Sequence, residues 1–262
     1  PSRNLLAVGD PYYGELEEKF TELSTKTIFQ DLYSLSDMKF YRLRYSEEEI
    51  RRISSLIPKT TVLTREKASE DLIKRANLAD YRILHFAAHG LIDDQKPARS
   101  AIVLTLDNDP AEDGFLQMRE ILGLKLNNDL VVLSSCQTGL GQFIRGEGIE
   151  GLSRAFFYAG ASAVVVSLWT VNDQVTSQFM ERFYLHLKSE SLAEALRKVK
   201  LEMIDSARVS HPYYWAPFIL NGQGDIKIFS PSYNMPLTIA LSIVGLSLGA
   251  FFIRKKFFNH KK

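Results

Sequence analysis

The chain has 262 residues, 45% of them hydrophobic, a formal net charge of +1 and a single cysteine. Such a length buries a sizeable core and suits one large α/β domain or two small ones, while one cysteine excludes an internal disulfide framework and a multi-cysteine zinc centre. Five Lys or Arg residues fall within 254–262 and no acid follows position 228, so the rest of the chain is net acidic, a poor surface for general nucleic-acid binding.

The sequence begins with proline, and RNLLAVGDP reads as a strand already under way, so the chain is expected to be the C-terminal part of a longer protein. After a strand at 4–9, SEEEIRRISSLI (46–57) reads as a helix with Ser46 as N-cap and Glu49 at the capping-box position. TTVLT (60–64) is a strand, 68–78 a helix, and YRILHFAAHG (81–90) a buried strand. Strands at 101–106 and 129–136, a short helix at 118–124 and a helix from about 148 to 159 follow. A strand at 161–169, helices at 172–187 and 191–206, and a late strand at 215–220 complete the series. Apolar strands separated by helices predict an α/β domain over 1–230 with a mostly parallel sheet covered on both faces.

From Ile228 to Ile253 no residue is charged, and the stretch stops at RKKFFNHKK. A buried core helix is one reading. An apolar run bounded by a basic cluster predicts instead a transmembrane helix over 235–253 with a basic tail at 254–262. The expected location is then a single-pass membrane protein, with the tail cytoplasmic and the globular part on the non-cytoplasmic, periplasmic side.

In a parallel sheet, chemistry gathers beyond the carboxyl ends of the strands. Those ends carry Asp10, His89 with Gly90, Ser134 to Gly139 around Cys136, and Trp169 to Asp173. A cysteine beside a base can act as a nucleophile, and Gly90 would let a main-chain N–H approach a substrate carbonyl. A lone cysteine is also a common buried filler, and the residues alone leave both readings open.

His85 and His89 are four apart, but the strand pattern around them argues against a metal pair and favours His85 as a core histidine. His186 and His211 show no obvious partners. GEGIEG (146–151) matches a dinucleotide glycine pattern, yet the preceding strand ends ten residues earlier and Glu147 would repel a pyrophosphate. No metal and no cofactor are therefore expected. Asp10, Asp93, Asp94 and Asp173 lie in strand-end loops and suit recognition of a cationic group, with capping of the next helix an alternative for Asp173.

LLAVGDP, ILHFAAHG, DGFLQMREILGLKL, LVVLSSCQTGLG, GEGIEGLSRAFFYAGASAVVVSLWTVND and HPYYWAPFILNG occur in this order over residues 4–224. Together they resemble the CHAT domain, a bacterial branch of the caspase-like cysteine peptidases often found after tetratricopeptide repeats. The resemblance implies a caspase-like three-layer α/β/α sandwich and a His/Cys dyad, His89 matching the catalytic histidine and Cys136 the nucleophile. It also implies an oxyanion hole from the main-chain N–H groups of Gly90 and Cys136, and a substrate cleft lined by Trp169 and Asp173, to which Asp10 is added as a strand-end acid. Ser135 stands where the family commonly has alanine.

The function expected from this resemblance, taken with the apolar run at 235–253, is a membrane-anchored cysteine endopeptidase acting on a protein or peptide partner and controlled by an upstream sensing region such as tetratricopeptide repeats. A silent peptide-binding or scaffolding module of the same fold is the alternative. The acids at Asp10 and Asp173 favour a basic residue before the scissile bond, with an apolar pocket around Trp169 the competing specificity.

Overall fold

Alternate residues of each central strand face opposite layers, and both layers are apolar. Leu5, Ala7, Ile83, Leu130, Val132 and Val165 pack into one core, whereas Leu6, Val8, Leu84, Phe86, Val131 and Val166 pack into a second. Period-two alternation with both faces covered is why these strands read as unbroken apolar runs. The computed structural model describes residues 1–13, 40, 42–93, 96–106, 112–134, 137–139 and 147–229, with only the main chain for 137–139 and 147–149.

The central sheet contains β1 (Arg3–Pro11), β2 (Thr60–Arg65), β3 (Tyr81–Ala87), β7 (Leu130–Leu133), β9 (Ala163–Ser167) and β10 (Phe218–Gly222), in the spatial order β10-β9-β7-β3-β1-β2. All neighbouring pairs are parallel except β10 with β9. One face is covered by α1 (Ser46–Leu56), α5 (Asp173–Leu187) and α6 (Leu192–Ile204), through Ile50, Ile53, Phe179, Phe183, Leu192 and Val199. The other is covered by α2 (Glu70–Arg75) and α4 (Glu147–Ala159), through Ile73, Leu152, Ala155 and Phe156. The expected α/β/α layering and mostly parallel sheet are therefore present. A second sheet, β6-β5-β4-β8, is formed by β4 (His89–Ile92), β5 (Ala101–Val103), β6 (Phe115–Gln117) and β8 (Gln137–Gly139). Two short α-helices, α3 (Met118–Ile121) and α7 (Pro212–Trp215), and 3-10 turns at Leu78–Asp80 and Pro97–Arg99 complete the described elements.

Several local expectations change. The strand expected over 81–90 ends at Ala87, and His89 opens β4 of the second sheet. Ser46 is the first residue of α1 rather than its cap: its hydroxyl donates to the Leu43 carbonyl at 2.8 Å and accepts the Asp10 N–H at 3.0 Å. Glu49 turns into the core instead of closing a capping box. Asn172, not Asp173, caps α5, its Oδ1 accepting the N–H groups of Gln174 and Val175. His186 has a partner after all in Glu202, 2.7 Å away, and His211 caps α7.

The expectation of a transmembrane helix, and with it a single-pass membrane location and membrane partnership, is corrected. Among the described residues no helix is long and apolar enough to cross a membrane. The longest, α5, has 15 residues and carries charged side chains, whereas a hydrocarbon core of about 30 Å takes about 20 apolar residues. Residues 235–253 and the basic tail lie outside the described residues.

Candidate active site

The order of strands reverses between β1 and β3, because β2 lies beyond β1 while β7 and β9 lie beyond β3. Such a reversal leaves a crevice at the carboxyl ends of the two strands, the usual place for a ligand in an open parallel sheet. Asp10 is the penultimate residue of β1 there, and the chain beyond β3 passes through buried Ala88 to His89.

His89 is 5% exposed and packs against the rings of Tyr13 and Phe40, with centroids 5.2 and 5.6 Å away. Its main-chain N–H donates to the Tyr13 hydroxyl at 3.2 Å, and that hydroxyl donates to the Val103 carbonyl at 3.3 Å. Burial holds the Tyr13 pKa above its ordinary value, so the hydroxyl remains protonated. Gly90 follows, and a Cβ built there would meet nothing within 4 Å among the described residues.

β4 is parallel to β8, with Gly90 opposite Gln137, Leu91 opposite Thr138 and Ile92 opposite Gly139. Cys136 itself lies outside the described residues, as does Ser135. Its described chain neighbours are Ser134, which follows β7 and donates its N–H to the Phe86 carbonyl at 3.1 Å, and Gln137 of β8.

Next to these strand ends, Glu49, Ala87, Ser134, Asp173 and Thr176 line a small pocket, of water size, together with Leu43 and Ser46. Asp10 adopts a left-handed φ of 45°, which aspartate tolerates, and the β1 register shifts between Gly9 and Pro11. Its buried carboxylate accepts Nε and Nη2 of Arg42 at 2.8 and 2.7 Å and lies 3.4 Å from Arg65. Asp173 accepts the Tyr45 N–H at 2.8 Å. Burial raises its pKa, and the nearby charges of Glu49 and Asp10 raise it further. Trp169 goes elsewhere: its indole N–H donates to the Tyr213 carbonyl at 3.0 Å, beside α7. The structure thus brings Asp10 and Asp173 to one segment, Arg42 to Tyr45, and seats Trp169 on another. Asp93 is bound by Arg99 and by the Lys96 N–H, and Asp94 lies outside the described residues.

His85 is a fully buried core residue, as expected, with Nε2 2.7 Å from Glu49 and Nδ1 3.1 Å from the Tyr184 hydroxyl. Glu70, Glu112 and Glu120 form a group with metal-ligand spacing among the described residues. The Lys74 ammonium already sits within 2.8 Å of all three, so the chain supplies its own cation there. Sequence reasoning missed Tyr13, Phe40 and Arg42, which lie in the long stretch between β1 and α1 where periodicity gives no signal.

The CHAT domain family matches residues 1–223. The chain belongs to the CHAT-domain family. This CHAT domain is 39% identical over 131 residues to Tetratricopeptide repeat protein 28 of Mus musculus, covering 48% of the chain and 5% of that protein. The Homo sapiens protein is 36% identical over 127 residues with the same coverage. The CHAT domain thus spans about 5% of the length of these relatives, and their mammalian source extends the resemblance beyond bacteria. Among solved structures, the Arg specific cysteine proteinase gingipain R aligns over 86% of this chain and 47% of its own, with a TM-score of 0.50 and 9% identity. At that identity the likeness is one of fold.

Proposed function

We propose that this CHAT domain is a cysteine endopeptidase in which His89 and Cys136 form the catalytic dyad. One observation carries the reading: β4, which begins at His89, runs parallel to β8, which begins at the residue after Cys136, with Gly90 opposite Gln137. His89 and Gln137, the residue that follows Cys136 in the chain, thus begin neighbouring strands although they lie far apart in sequence.

In this reading the Cys136 thiolate attacks the scissile carbonyl carbon, and the oxyanion is held by the N–H groups of Gly90 and Cys136. His89 takes the thiol proton and delivers it to the leaving amine as the C–N bond breaks. It then removes a proton from water, whose attack on the thioester releases the acid product and restores the thiol. The substrate approaches along the Arg42 to Tyr45 segment, beside the small pocket lined by Glu49, Ser134, Asp173 and Thr176, with Asp10 behind Arg42. The name of the mammalian relatives supports a setting beside tetratricopeptide repeats, in which an upstream array presents the protein substrate and controls access to the domain.

Purified protein treated with a thiol-reactive peptide probe tests the reading. Labelling at Cys136, read by mass spectrometry and lost in His89→Ala, is the expected result. Labelling that survives in His89→Ala at the wild-type rate would overturn the dyad.

A further inference from the structure

We propose that Asp10 and Asp173 recognise a cationic side chain of the substrate, and that Arg42 is the internal occupant of this site, keeping the domain latent until it is displaced. The inference rests on the peptidase reading for its biological sense, but the binding site it describes does not require a reactive thiol.

Asp10 has a fully buried side chain, whereas that of Arg42 is 53% exposed. The guanidinium approaches as a fork, Nε on Oδ1 at 2.8 Å and Nη2 on Oδ2 at 2.7 Å, a two-point geometry that an ammonium does not reproduce. A buried carboxylate needs such compensation, and Arg65 at 3.4 Å supplies only a longer contact. Yet the principal compensating charge comes from a half-exposed side chain on an irregular segment rather than from a packed helix or strand.

The same segment is gripped a second time, by the Tyr45 N–H on Asp173, and Leu43 between the two grips lines the pocket. A side chain in an acidic pocket and a main-chain N–H on a fixed acceptor is how an extended peptide bearing a basic residue would be held. A further observation points to a ligand. Thr176 is 3% exposed and lines the pocket, and its Oγ1 has no hydrogen-bond partner among the described residues. Beside it lie Ser134, two positions before Cys136, and the carboxylate of Glu49. The site therefore offers two acids, Asp10 and Asp173, and a hydroxyl without a partner among the described residues, with one guanidinium already bound at its edge.

Calorimetric titration of N-acetyl-arginine amide and N-acetyl-norleucine amide, in a Cys136→Ala background, separates this site from the chemistry. The expected result is that Arg42→Ala binds the arginine amide about tenfold more tightly than the parent, the worth of one charge-assisted hydrogen bond, with no change for the norleucine amide. Adding Asp173→Asn or Thr176→Val to Arg42→Ala should remove that gain. Arg42→Lys keeps a positive charge over Asp10 without the fork, and should give a smaller gain if Arg42→Ala does not fold. Folded variants that bind no better than the parent, or that bind both amides alike, would overturn the proposal. So would failure of both Arg42 variants to fold, which would make Arg42 a structural tie. Loss of arginine binding with Cys136 labelling intact sinks this site alone, and binding without labelling sinks the peptidase reading alone.

Discussion

The His89 main-chain N–H is held by the Tyr13 hydroxyl, 3.2 Å away, and the same hydroxyl ties β5 through the Val103 carbonyl. Tyr13 therefore fixes the start of β4, where the proposed base stands. Tyr13→Phe leaves both main-chain groups without this partner and should cost about 1–3 kcal/mol of stability, read from urea unfolding. It should also slow labelling of Cys136 at temperatures where the variant is fully folded. Unchanged labelling would remove Tyr13 as a positioning residue.

His85 and Glu49 form a buried pair that joins α1 to the central sheet, with Tyr184 of α5 on the other ring nitrogen. His85→Leu strands a buried carboxylate and should cost about 3 kcal/mol or more. The double variant His85→Leu/Glu49→Leu should be less damaged than the sum of the single variants, with a coupling of about 1–3 kcal/mol in a denaturation cycle. Additive effects would show that the pair contributes nothing beyond its separate packing.

Glu70 is pushed up to about 8, mainly by burial, with Lys74 opposing the shift and Glu120 and Asp113 adding to it. Because its folded pKa lies above the unfolded value, the native state holds more protons than the unfolded chain between about pH 4.5 and 8. Its contribution to stability therefore falls as pH rises through that window and levels off above it. Glu70→Gln should flatten the corresponding slope in a series of denaturation curves, and an unaltered slope would exclude Glu70 as its source.

Gly9 lies where α1 crosses β1, and a Cβ there would stand 2.4 Å from Ile50 Cγ1. Gly9→Ala must displace Ile50, which is 1% exposed, and should cost about 1–3 kcal/mol through overpacking. A melting temperature equal to that of the parent would show that the helix can step back without penalty.

The central layers were legible because their signal is local. Strands such as Ala163–Ser167 are apolar on both faces, and α5 and α6 carry their own Asn172 and Ser191 caps. The second sheet was hidden because its strands are only three or four residues long and belong together by pairing alone. Nothing in YRILHFAAHG marks Ala88 as the point where the chain leaves one sheet for another. The C-terminal apolar run is a different case: composition suggested a membrane span, and no described helix has the length and apolarity for one.

By itself the sequence determined the alternating layers, the family and the two residues proposed for the chemistry, since periodicity and ordered motifs are properties of the chain read in a line. The tertiary structure alone decided that β4 runs beside β8, that Arg42 rather than solvent meets Asp10, and that Trp169 faces α7. These depend on strand order and on which loop crosses which strand end. Side chains from distant positions meet there only because burial of the two apolar faces brings their backbones together.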